Sequence, residues 1–107
     1  MLVSMSEGAN SHRLILIGLD FDEATAFDIK NKGWYGLAKL RLDDGTLIPL
    51  SFYDPIRLRQ EVAEEFTQGK GHFAEANLIV VPNVTEAAMR QAATELWDQG
   101  FFTRTKD

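Results

Sequence analysis

Not one cysteine occurs among the 107 residues. That excludes disulfides, thiolate metal centres and a cysteine nucleophile, and it fits a reducing compartment. Histidine is nearly as scarce, with only His12 and His72. A histidine base needs an orienting partner and a nucleophile within reach, and nothing beside either residue marks one. Long apolar runs are also missing. The longest, Leu14 to Leu19, is far too short to span a bilayer. The opening "MLVSMSEGANSH" has no basic segment followed by a long apolar one, so it does not read as a secretory signal. Positive charge is in deficit, with 11 Lys and Arg against 16 Asp and Glu and a formal net charge of −5. Bulk charge therefore does not draw the chain onto a phosphate backbone. A basic protein surface is what it would steer in. The expectation is a cytoplasmic protein with no membrane, nucleic-acid or cofactor partner.

What is present suits one ordinary globular domain. The chain is 45% hydrophobic and 25% charged, and a domain of this length buries roughly 65% of its unfolded surface. Residues 1–11 read as a disordered tail and residues 12–107 as a single domain. Leu14 to Leu19 reads as a strand that is apolar on both faces. Residues 20–33 read as a polar connection, with a short strand where Phe27 and Ile29 alternate with Asp28 and Lys30.

The next stretch, "WYGLAKLRLDDGTLIPLSFY", reads as a hairpin. A two-residue turn at Asp44-Gly45 would mix charged and core residues on one face. A three-residue loop, Asp43-Asp44-Gly45, sorts them. Ala38, Leu40 and Leu42 then share a face with Thr46, Ile48 and Leu50. The loop needs Gly45 in the left-handed region, and Pro49 suits a strand edge. Asp54, Pro55 and Gly69 bracket a helix with a Leu58, Val62, Phe66 stripe. Leu78 to Val81 reads as another strand. A last helix spans about 84–98, with Asn83 or Thr85 as its cap, and Gly100 stops it. The predicted fold is α+β, a mainly antiparallel sheet of four strands, or five with the 27–30 segment. Two helices pack on one of its faces, in the order β-(β)-β-β-α-β-α.

Several motifs carry a chemical reading. "LILIGLDFDEAT" at 14–25 resembles the strand tip of haloacid-dehalogenase-type phosphatases, where one Asp is the nucleophile and a second follows two residues later. "LDDGTL" at 42–47 resembles the same family's signature. The resemblance implies a parallel α/β sheet and a downstream Ser or Thr, Lys and acidic pair. Here Thr25 arrives one position late, the following segment reads as a hairpin, and no such downstream set occurs. No family is assigned. Asp20, Asp22, Glu23 and Asp28 offer hard oxygen ligands, but the EF-hand spacing fails at Ala24, Thr25 and Asn31. The reading is a solvated acidic loop, with a docking loop for a partner as the alternative and no metal. "GKGH" at 69–72 follows a helix C-terminus, the wrong end for a phosphate cradle. Lys30, Lys32, Trp34 and Tyr35 interleave base and aromatic as single-strand binders do, but the acids just before them oppose it.

The composition of the hairpin's second face is more informative. With Ala38, Leu40, Ile48 and Leu50 covered by helices, the opposite face presents Tyr35, Leu37, Leu47, Pro49 and Tyr53 around Lys39 and Arg41. Such a patch exceeds what a soluble monomer usually exposes. The expectation is a non-enzymatic protein–protein interaction domain that self-associates, with Tyr35, Leu37, Arg41, Leu47 and Tyr53 binding the partner. The rival is a small enzyme or a metal- or ligand-binding protein using the 20–28 loop. The loop chemistry has its own test. Gly45→Val is expected to cost about 1–2 kcal/mol in urea unfolding, because a β-branched residue is strained at positive φ. A neutral substitution contradicts the register.

Overall fold

In the computed structural model, which describes residues 15–102, the hairpin forms as the loop chemistry demands. Gly45 N–H donates to Leu42 O and Leu42 N–H to Thr46 O, each at 2.9 Å. Gly45 takes a φ of 88°, and the Asp44 carboxylate accepts from Thr46 N–H at 2.9 Å. Strands β3 (Lys39–Arg41) and β4 (Leu47–Pro49) pair with Leu40 opposite Ile48, the expected register. Leu40, Ile48 and Leu50 are buried.

Further from the loop the register changes by one. Strands β2 (Trp34–Tyr35) and β5 (Ser51–Tyr53) pair Trp34 with Tyr53 and Tyr35 with Phe52. Leu50 N–H still donates to Ala38 O at 3.0 Å. Gly36 and Leu37 therefore lie opposite Ser51 alone, which is a β-bulge. Tyr35 consequently shares a face with Phe52 and the core, and Trp34 shares the other with Tyr53.

The bulge also divides the sheet. The single sheet of four or five strands is corrected to two sheets of three. One has the order β1 (Ile15–Ile17), β3, β4, all antiparallel; the other has the order β2, β5, β6 (Leu78–Val80). β6 runs parallel to β5, because a whole helix connects them. No helix among the described residues is long and apolar enough to cross a membrane. The predicted tail and His12 lie outside the described residues.

Among the described residues three helices form, where two were expected. The polar connection contains α1 (Glu23–Lys32), and the short strand at 27–30 does not form. Its ends explain it. Asp22 accepts from Thr25 N–H at 2.8 Å, Glu23 stands in the first turn, Lys30 and Lys32 in the last, and Gly33 closes it at φ 74°. Each complements the unpaired amides or carbonyls of a helix end. Only Ile29 is buried along it, so no apolar stripe announces the helix.

Helix α2 (Pro55–Thr67) has its predicted cap, Asp54 accepting from Arg57 N–H at 2.7 Å, with Pro55 at the first turn. Its stripe behaves differently. Leu58 and Val62 are half-buried and Phe66 is 52% exposed. Helix α3 (Glu86–Asp98) is capped by Thr85, which accepts from Ala88 N–H, and not by Asn83. Its Met89 and Ala93 join Leu40, Ile48, Phe52, Ile79 and Phe102 in one core cluster. Phe102 folds back beneath the helix after Gly100, whose N–H donates to Trp97 O at 3.0 Å.

Phe52 faces α3 through that core, while the neighbouring Tyr53 lines a groove with Glu61 and Glu65 of α2. Adjacent strand residues point to opposite faces. The two long helices thus lie on opposite faces, which corrects their placement on one.

Gly33 joins two helices. Asp54 N–H donates to its carbonyl at 2.9 Å, and a Cβ on Gly33 would come 2.5 Å from the Asp54 carboxylate that caps α2. Gly33→Ala is therefore expected to cost about 2–3 kcal/mol, the left-handed penalty plus most of a cap. Gly45→Ala, with a similar φ and nothing within 4 Å of its Cβ, should show only the smaller φ penalty. Urea unfolding of both variants measures the difference.

Candidate functional site

The alternation that buries Leu40 and Ile48 turns their neighbours outward. Across β1, β3 and β4 this makes two rows, Ile15–Arg41–Leu47 and Ile17–Lys39–Pro49. Arg41, Leu47 and Pro49 are exposed, with Ile15, Ile17 and Lys39 half-buried. Leu37, two residues before Lys39, is 63% exposed, and Leu47 is 47% exposed. Among the described residues the ion pairs are Arg57–Glu61, Lys70–Glu65 and Arg90–Glu86. Lys39 and Arg41 have no carboxylate partner there. The result is an open surface with two unpaired cations in its central strand and apolar residues on both sides.

Of the five residues expected on this surface, Arg41 and Leu47 are exposed and paired across β3 and β4, and Leu37 is exposed on the chain leading into β3. Tyr35 stands on the core side because of the bulge. Its ring meets Phe21 edge-on at 5.4 Å, and its hydroxyl donates to Gly18 O. Tyr53 points outward but is only 4% exposed. The returning chain after α2 covers it: Phe73 packs edge-on at 6.4 Å, and the Tyr53 hydroxyl donates to Glu75 Oε1 at 2.7 Å. The outer face therefore has a covered end at β5 and an open end at β3 and β4. Ile15 and Ile17 complete the open end. The sequence reads them as part of a strand apolar on both faces, and β1 lies at the edge of its sheet.

The acidic residues have structural duties. Asp22 is the α1 cap, and the amide and hydroxyl of Thr25 hold its carboxyl below the usual carboxylate range. Glu23 sits in the first helical turn, where the helix dipole favours a negative charge. Asp20 precedes the helix and Asp28 lies within it, both exposed. Among the described residues no three carboxylates or histidines come together as metal ligands would. No protein-family model, curated protein or solved structure matches the chain.

Burial raises the pKa of both tyrosines. For Tyr35 the Asp20 charge adds to it; for Tyr53 the hydrogen bond to Glu75 does, and its value rises far above the ordinary one. Folding thus favours the protonated phenols. Their contribution to stability is complete below the ordinary tyrosine value of about 10 and is lost as pH rises through the higher folded values. Thermal melts should fall steeply only above about pH 10. Tyr53→Phe should flatten that alkaline decline. An unchanged slope would place the alkaline sensitivity elsewhere.

Proposed function

We propose that this chain is a non-enzymatic protein–protein interaction domain, and that a second copy covers the open end of its outer face. The exposure of Leu37 and Leu47 on the face of Lys39 and Arg41, which have no carboxylate partner among the described residues, carries the reading. Contiguous apolar side chains with an arginine among them are what interface centres favour. Two-fold pairing is the commonest way for a soluble chain to bury such a patch. The edge strands β1 and β4 are short, and Pro49 leaves β4 without one amide donor, so the face and not the edge is the contact. An acidic protein partner is the second reading, favoured by the two cations that find no carboxylate within the described chain. The rival reading of a metal or substrate site at 20–28 draws no support from carboxylates occupied with starting α1.

Light scattering at micromolar concentration tests self-association. The wild type should show about twice 12.0 kDa. Leu37→Asp with Leu47→Asp should give a folded monomer with an unchanged far-ultraviolet spectrum, since both side chains are exposed. Tyr35 is left intact because its ring belongs to the core side. A wild-type monomer contradicts self-association, and a dimeric double variant contradicts this interface.

A further inference from the structure

The open end of the outer face has three strands, and β3 is the middle one. Its outward side chains are Lys39 and Arg41, two residues apart and so on one side of the strand. Ile17 and Pro49 flank Lys39, and Ile15 and Leu47 flank Arg41. These two rows contain no acid, and neither cation has a carboxylate partner among the described residues.

Given the self-association proposed above, symmetry decides what these cations meet. A face-to-face pair is related by a two-fold axis lying between the two sheets. Whichever way the axis runs in that plane, the middle strand lies over its own copy, and only the outer strands exchange places. Packed sheets stand about 10 Å apart. Lys39 and Arg41 of both copies therefore share the centre of the contact, and the apolar rows on either side exclude water from it. Each cation loses solvation there and gains like charges opposite it, an arrangement that is costly until a counter-charge enters. We infer that self-association of this chain is linked to anion binding, with a multivalent oxyanion of the phosphate type held between the two β3 strands. Arg41 offers paired N–H donors that match two phosphate oxygens, and Lys39 adds a point charge. One copy supplies half of these donors on an open, wet face, so the site is incomplete without the second copy. Chloride neutralises a single charge, whereas an oxyanion with several acceptor oxygens bonds to both copies at once.

Sedimentation equilibrium of the full chain, in sodium chloride and then in sodium phosphate at the same pH and ionic strength, tests it. An anion bound only by the pair tightens dimerisation about tenfold once it stands at about ten times its own dissociation constant. A series with adenosine monophosphate separates the sources. A response to inorganic phosphate assigns a free oxyanion, a response to the nucleotide alone assigns a phosphate ester, and either supports the inference. Lys39→Gln with Arg41→Gln should dimerise more tightly than the wild type in chloride and lose the phosphate response, whereas cations that merely supported the contact would weaken it when removed. Arg41→Glu, at an exposed position, brings the missing carboxylate into the contact. It should have the same two effects, and serves if the double variant disturbs the fold. A wild-type dimer that is no tighter in phosphate or nucleotide than in chloride overturns the anion linkage and leaves self-association standing. So does a phosphate response that both variants keep. A wild type that stays monomeric in every anion contradicts self-association itself and the linkage with it.

Discussion

Gly36 and Leu37 face a single residue, Ser51, and that inequality decides which side chains of the hairpin are inside. On the loop side of it, even-numbered residues of the first strand face the core, as Ala38 and Leu40 do. Beyond it Tyr35 does so instead, opposite Phe52. The bulge is held from two directions. A Cβ at Gly36 would lie 2.7 Å from the Trp34 ring, and one at Gly18 would overlap the Leu37 carbonyl. Gly18, at φ 87°, also ends β1 and accepts the Tyr35 hydroxyl. The bulge, the end of the first strand and the anchored tyrosine are thus one arrangement, and none can shift alone.

The two ends of the outer face follow from it. Once the strands bend at the bulge, α2 and the chain after it can lie over Tyr53 without reaching Leu47. Helix α2 buries none of its residues fully, so it stands as a partial cover held by its end. Asp54 bonds to Gly33, and the Arg57 guanidinium donates to Lys32 O at 3.1 Å. A helix attached this way can wall a groove while leaving the rest of the sheet's outer face open. The core lies on the other side, where Phe52, Met89 and Phe102 are almost wholly withdrawn from water. The core therefore occupies one face of the hairpin, and the proposed interaction surface occupies the other.

The parts legible in the sequence are those with local causes. The Asp43-Asp44-Gly45 loop, its register and the Asp54-Pro55 start of α2 each rest on a few adjacent residues. Helix α1 was legible in its ends, Asp22 and Gly33, but the alternation of Phe27 and Ile29 with Asp28 and Lys30 outweighed them. An alternating pattern is a weak guide when only one of the residues, Ile29, is buried. The bulge had no local signal beyond Gly36, since its cause is the approach of Gly18 from another strand. That one unread residue moved Tyr35 from the expected interaction surface to the core side. Tyr53 was displaced differently, by the return of Phe73 and Glu75 from twenty residues further along the chain. The acidic stretch was legible as composition but not as duty, because a cap and a binding loop draw on the same residues.

The bulge is tested most directly by Hα–Hα contacts in a nuclear Overhauser spectrum. Non-hydrogen-bonded antiparallel pairs bring their α-carbons to about 4.5 Å, close enough for a strong cross-peak. Arg41 with Leu47 and Lys39 with Pro49 should give one on the loop side of the bulge. Beyond it the partner of Tyr53 should be Trp34. A cross-peak from Tyr53 to Tyr35, with none to Trp34, would show an unbroken register and contradict the division of the faces built on it.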